Sequence, residues 1–364
     1  MLPGDSHTKC TEAYVIADVR EKSNWLKSNW LIWSVASLAV SAFDGTWGRR
    51  CSFVNKMRSS LALLSLAVCW AFQEQPSIRV DVNLVNVAFA VRDARGALAA
   101  DLTRDDFEVV EDAVPQTISF FARSADVPLT LGLIVDASGS QEHFVKQHHH
   151  HLEEFLHDVL SPRDRAFLIC FGNHLRVVSD FSPSAAQLME GLQQFEHGNM
   201  RFPELGPPED RDLGTAFYDA IYYPVTEKLS EVERGRRALI IFSDGEDNSS
   251  SHHMMDAIEA SQAADVRVFC MRYTERKKGR LTARNKYGIS VMERLSRETG
   301  GADFDAEQGD IRASFRQIGE DLRVSYELAY VSTNPVRDGS FRKLVIRSKR
   351  TGFAVRSKTG YFAR

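Results

Sequence analysis

From residue 78 the chain alternates apolar and polar positions, "IRVDVNLVNVAFAVRD", at the two-residue period of a strand with one face buried, and "ARGALAA" follows as a turn. "DFEVVEDAVPQTISFFAR" predicts a strand, a turn between Glu111 and Pro115 and a second strand, completing a small antiparallel unit by about residue 124. The far end has the same character: "SYELAYVST", "FRKLVIRSK" and "YFAR" are strands separated by "NPVRDGS" and a "KRTG" turn. Between these flanks the period changes. Apolar runs, "TLGLIVD", "DRAFLICFG", "HLRVVSDF", "RRALIIFSDG" and "VRVFCMRY", alternate with helical stretches predicted near 141–160, 184–195, 252–264 and 289–299. Strands apolar throughout and separated by helices imply a mostly parallel sheet covered on both faces, a doubly wound, Rossmann-like α/β domain over about 125–308. The segments 76–124 and 309–364, the latter opening on a helix, are too short for separate sheets and are predicted to pair into one small flanking antiparallel β-sandwich.

Composition narrows the class. The 364 residues are 43% hydrophobic and 26% charged, with a formal net charge of −4, so no basic field argues for nucleic acid and no acidic tail for a solvating role. "MRSSLALLSLAVCWAFQEQPS" has the layout of a secretory signal: a basic start, an apolar run from Leu61 to Phe72 and a polar continuation. Residues 57–75 are therefore expected to be a signal peptide, and 1–56 an upstream extension outside the fold. The competing idea is a membrane or envelope anchor made from this run and the earlier one, Trp30 to Phe43; "LAVC" at Cys69 half resembles a lipidation signal. Either way the expected location is secreted, periplasmic or cell envelope. Of five cysteines, Cys170 and Cys270 lie in apolar strand runs, where the residue is usually a small buried hydrophobe.

The chemistry begins where "LGLIVDASGS" stops being apolar. Asp136, Ser138 and Ser140 fall on a strand-to-helix turn, with Gly139 easing the fold; Thr215 in "LGTAFYDAI" adds a third hydroxyl and Asp244 in "IIFSDGEDN" a second carboxylate. In doubly wound sheets, ligands sit beyond the carboxyl ends of the strands, at the point where strand order reverses. Three neutral oxygens and two carboxylates gathered there suit a hard divalent cation, Mg²⁺ or alternatively Mn²⁺ or Ca²⁺. A helix cap made by Asp136 and the serines would account for neither Thr215 nor Asp244.

These residues resemble the von Willebrand factor type A (VWFA) family, whose metal-ion-dependent adhesion site (MIDAS) reads Asp-x-Ser-x-Ser followed by a distant Thr and then an Asp. "FEVVEDAVPQTISFF", "LGTAFYDAIY", "RRALIIFSDGEDNSS" and "YELAYVSTNPVRDGSFRKLVIRS" extend the likeness to bacterial VWFA-related domain proteins over nearly all of 78–364. The resemblance implies that Ser138, Ser140 and Thr215 ligate the ion, with Asp136 and Asp244 acting directly or through waters. It also implies a function: metal-dependent adhesion or protein–protein binding, in which an Asp or Glu carboxylate of an unknown protein partner completes the coordination. No enzyme is expected. The second carboxylate that a haloacid-dehalogenase-type phosphotransferase needs is replaced by Ser138, and neither a G-x-S-x-G elbow nor a phosphate loop is present. Two alternatives from other classes are a metal-dependent hydrolase using the same site and a structural envelope protein whose metal site is empty.

Three further features carry expectations. The run His148–His151 is expected on an exposed helical face, since four consecutive histidines point all round a helix. His252 and His253 are expected near the site without being ligands. Two long loops, the acidic "GNMRFPELGPPEDRDLG" and the basic "RYTERKKGRLTARNKYG", are expected on the metal face, the basic one steering an acidic partner.

Overall fold

Strand alternation at the start of the chain builds four strands: β1 (Leu84–Asp93), β2 (Phe107–Glu111), β3 (Val114–Gln116) and β4 (Ile118–Ser124). Asp112 and Ala113, both at positive φ, make the two-residue turn between β2 and β3. This computed structural model describes residues 84–363 apart from 100, 125–126, 199–200, 208–213, 233–234 and 277. The predicted extension at 1–56, the signal at 57–75 and the first residues of the alternating run lie outside the described residues.

The middle of the chain supplies β5 (Leu129–Asp136), α1 (Val145–Val159), β6 (Arg165–Phe171), β7 (Leu175–Ser182), α2 (Ala185–Glu196), α3 (Asp219–Tyr223), β8 (Arg236–Ser243), α4 (Met254–Ala263), β9 (Val266–Arg272), α5 (Ala283–Thr299), β10 (Asp303–Asp305) and α6 (Ile311–Arg323). Six of these strands form one sheet in the order β10-β9-β8-β5-β6-β7, parallel except for β7. All eight residues of β5 are buried, the signature of a central strand covered on both sides. One face packs α1, α2 and α6 through Leu152, Phe155, Leu188 and Phe315; the other packs α3, α4 and α5 through Ile221, Ile258 and Met292. Each such buried side chain contributes about 1.5–3 kcal/mol. Gly132 in β5 is required by the packing itself, since a Cβ there would lie 2.4 Å from Leu239 and 2.6 Å from Phe167.

The chain closes with β11 (Ser325–Val331), β12 (Phe341–Ser348), β13 (Phe353–Arg356) and β14 (Gly360–Phe362). Strands from both flanks share two antiparallel sheets, β13-β1-β11-β4 and β14-β12-β2-β3. Their inner faces meet in a core with Phe89, Phe107 and Tyr326 at its centre, the Phe89 and Phe107 rings 5.0 Å apart. The Glu111 carboxylate is buried in that core and accepts hydrogen bonds from Tyr330 (2.7 Å), Ser332 (2.5 Å) and Tyr361 (2.8 Å), joining strands of both sheets.

Two local readings are corrected. Helix α5 starts at Ala283 rather than 289, because Thr282 caps it: the Thr282 hydroxyl accepts from the Asn285 amide at 3.1 Å and Asn285 answers at the Thr282 amide. The basic loop is correspondingly shorter. The histidine run is not an exposed face: His148 is buried with its ring edge-on to Tyr273 at 4.2 Å, and His151 Nδ1 lies 2.7 Å from the Tyr273 hydroxyl. Burial holds His148 down at about 3, the charge on His151 adding to the effect.

Candidate metal centre

Strands β5 and β8 are neighbours at the point where strand order reverses, and each ends in an acid: Asp136 is the last residue of β5 and Asp244 follows β8 directly. Asp136 is fully buried. One of its oxygens accepts the Ser138 amide at 2.9 Å and the other the Ser243 hydroxyl at 2.5 Å, so this carboxylate folds the turn after β5 and ties it to β8. The hydroxyls of Ser138 and Ser140 are 3.2 Å apart, and Ser140 donates to Asp244 Oδ2 at 2.8 Å. Gln141 donates to the same Asp244 oxygen at 2.9 Å, and the Glu246 amide donates to Asp244 Oδ1 at 3.0 Å. Four of the five sequence-predicted positions thus form one hydrogen-bonded group.

Thr215 reaches this end of the sheet through its backbone. The next residue, Ala216, donates to the Gly172 carbonyl at 2.7 Å, just beyond β6, and the Ala137 amide donates to Phe171 at the same strand end. On its other side the Thr215 amide donates to the Asn248 side chain at 2.7 Å, while its carbonyl accepts the Asn248 and Ser249 amides. The Thr215 segment is therefore held between the loops that follow β6 and β8.

Negative charge is crowded here. Burial, and after it the neighbouring Asp244 charge, raises Asp136 to about 7 against the pull of its hydrogen bonds. Burial also raises Glu246 and Asp247; for Glu246 the Asp244 charge adds to it and the Arg284 guanidinium opposes it. Among the described residues no group of three or more His, Cys, Asp or Glu side chains is placed to hold a metal, so an ion at this position depends on the serine and threonine hydroxyls. An all-oxygen set of two acids and three hydroxyls fits a hard cation such as Mg²⁺ or Mn²⁺ and is unsuited to zinc.

Several supporting residues escape a sequence reading. Gln141 links Asp244 to the Tyr273 carbonyl, which it meets at 3.3 Å, and its signal is only its place after Ser140. Gly288 lies on α5, yet a Cβ there would come within 2.3 Å of the Asp244 carbonyl, so the bare glycine lets the helix support the acid's backbone. His252 is engaged elsewhere: it lies 2.8 Å from buried Asp219 and stacks on Tyr222 at 3.6 Å. Of the two charged loops, Glu204 pairs with Arg176 and Arg276 approaches Asp305 at 3.8 Å, while residues 208–213 and Lys277 lie outside the described residues. The buried thiols of Cys170 and Cys270 are free and both pushed up by burial, Cys270 to about 12.

No family model and no curated protein matches the chain. Among solved structures it is similar to an aerotolerance-related membrane protein from Bacteroides fragilis, at 12% identity and a TM-score of 0.40, over 53% of this chain and 98% of that one. It is also similar to BatB from Bacteroides thetaiotaomicron, at 15% identity and 0.39 over 53% and 98% of the two chains. A third is the manganese-loaded TRAP protein of Plasmodium vivax, at 15% and 0.39 over 69% and 98%. Likenesses of this size carry no chemistry across. The architecture stands on its own: a mixed α/β chain whose six-stranded, mostly parallel sheet bears flanking antiparallel sheets, compatible with the VWFA arrangement.

Proposed function

We propose that this chain is a non-enzymatic binding protein that engages a protein partner through a divalent cation, Mg²⁺ or its close substitutes Mn²⁺ and Ca²⁺, at the reversal point of its central sheet. One observation carries the reading: Asp136, Ser138, Ser140 and Asp244, from two separate stretches of chain, meet in a single hydrogen-bonded group at the ends of β5 and β8. Ser138, Ser140, Thr215 and Asp244 present the oxygens. Asp136, whose two oxygens already accept protein donors, shapes the turn and adds its charge. A cation bound there supplies a Lewis-acidic position open to a partner's Asp or Glu carboxylate. Beside it, the Arg284–Glu246 ion pair and the exposed Tyr287 on α5 form a rim able to read the residues around that carboxylate. The apolar run at 61–72 supports a secreted or envelope location.

Calorimetric titration of the chain with Mg²⁺ and Mn²⁺ tests the reading. Saturable binding by the wild type, lost in the Asp136→Ala, Asp244→Ala double variant, is expected. Binding unchanged in that variant, or absent from the wild type, sinks the proposal. Capture of an acidic peptide with and without chelator then tests the partner chemistry.

A further inference from the structure

At the opposite end of the central sheet the strands begin with arginines, Arg236 and Arg237 on β8 and Arg267 on β9. These three line a cavity of about 160 Å³ between the start of the sheet and the outer face of the β13-β1-β11-β4 sheet, together with Phe120 and two carboxylates, Asp265 and Glu327. Arg236 and Arg267 are buried under the last turn of α6. Arg236 Nη1 donates to the carbonyls of Leu322 and Arg323, and Arg267 Nη1 to that of Asp321. The carbonyl end of a helix offers roughly half a negative charge, less than two guanidinium ions require.

The carboxylates nearby are already engaged. Asp321 pairs with Arg92 at 2.7 Å and Arg356 at 2.8 Å, Asp265 with Lys358, and Glu327 with Arg236 at 3.5 Å. Among the described residues Arg267 has no carboxylate partner, and its Nη2, on a side chain 94% removed from solvent, has no hydrogen-bond partner at all. Arg237 turns to the other face of the sheet, where it donates to the carbonyls of Leu229 and Val232. The Asp321 and Asp265 charges reach Arg267 only from beyond ion-pair distance; a buried guanidinium with an unbonded nitrogen is costly, and an anion is the natural complement of its fork of donors.

We propose that this cavity binds a small tetrahedral oxyanion, of the phosphate or sulfate kind, through Arg267, beside Arg236 on the same face of the sheet. The position is independent of the candidate metal centre: it lies at the amino ends of the strands, a β8 of eight residues away, or about 26 Å at the usual strand rise. Burial, and after it the Arg236 charge, pulls Arg267 down to about 10 against the opposing charges of Asp321 and Asp265. The volume corresponds to about five waters at roughly 30 Å³ each, room for an isolated ion and not for a nucleotide. Bound there, the ion bridges the central sheet to the sandwich sheet that closes the cavity.

The experiment is isothermal titration of the chain, in oxyanion-free buffer at fixed ionic strength, with inorganic phosphate, sulfate, glycerol phosphate and chloride, alongside thermal unfolding under the same conditions. Expected are one-to-one binding of phosphate or sulfate, a saturating rise in Tm that chloride does not reproduce, and weaker binding of the bulkier ester. Arg267→Gln is expected to weaken binding by about tenfold or more, the worth of one charge-assisted hydrogen bond. Should that variant fail to fold, Glu327→Gln, which removes a competing negative charge, is expected to tighten binding. The proposal is overturned if chloride matches the oxyanions, if Arg267→Gln binds as the wild type does, or if Glu327→Gln binds more weakly.

Discussion

At the carboxyl end of the central sheet, Asp136 and Asp244 are drawn together by Ser243, Ser140 and Gln141; at the amino end, Arg236 and Arg267 lie side by side under the last turn of α6. Each end holds two buried side chains of like charge close together, one pair answered by hydroxyls and amides, the other by helix carbonyls and, for Arg236, by Glu327 as well. Both arrangements cost stability when nothing is bound. A ligand of opposite sign would relieve the repulsion at either end, which is the common ground of the two proposed sites.

The carboxyl end is most sensitive at Gly288. Gly288→Ala puts a Cβ against the Asp244 carbonyl, and the expected result is loss of cation binding with a destabilisation of about 3 kcal/mol by urea unfolding, the upper range for overpacking. Anion binding at the far end should survive. Asp136→Asn sharpens the contrast in the other direction. In chelator at pH 8 it should raise stability by about 1–2 kcal/mol, since it removes a buried, repelled charge while the amide oxygen keeps the Ser138 N–H bond and the amide NH2 donates in turn to Ser243 Oγ; calorimetry should show the cation lost.

A pH scan separates these effects from that of His148. Its folded value is depressed below the ordinary histidine value, so the unfolded chain binds the extra proton first. The stability it contributes is full above about 6.5 and declines as pH falls toward about 3, by at most about 1.4 kcal/mol per pH unit. His148→Phe should flatten that acid limb in urea titrations at several pH values. The smallest effect is at the amino end: Arg267→Met in oxyanion-free buffer should change stability by less than about 1 kcal/mol, because the lost hydrogen bond is offset by removal of an uncompensated charge. In saturating phosphate the same variant should fall clearly below the wild type.

The strands and their acids were legible because the period breaks abruptly: "LGLIVD" is a short apolar run, with β-branched residues near its end, that stops at a carboxylate, and "IIFSDG" repeats the pattern on the neighbouring strand. What escaped depends on partners far along the chain. The early start of α5 is hidden because "TARNKYG" is polar and a cap box leaves little apolar period. Burial of His148 comes from Tyr273, more than a hundred residues on, and nothing in four consecutive histidines says which one faces inward. The arginines that begin β8 and β9 were visible as strand starts, but their burial follows from where α6 ends. Gly288 in a helix looks merely unfavourable until the Asp244 carbonyl is seen beneath it.

One pairing bears on mechanics. Ser124, at the end of β4, is registered directly opposite Ser325, at the start of β11, so the chain leaves for the central sheet and returns from it at one rung of a single ladder. Tension applied at Leu84 and Ala363 therefore runs through β1, β11, β12 and β14, with the six-stranded sheet hanging from that ladder as a side branch. Pulled by its described ends, the protein should part β1 from β11 and β14 from β12 before any force reaches Asp136 and Asp244, and a grip made at that site would hold while its tether stretched.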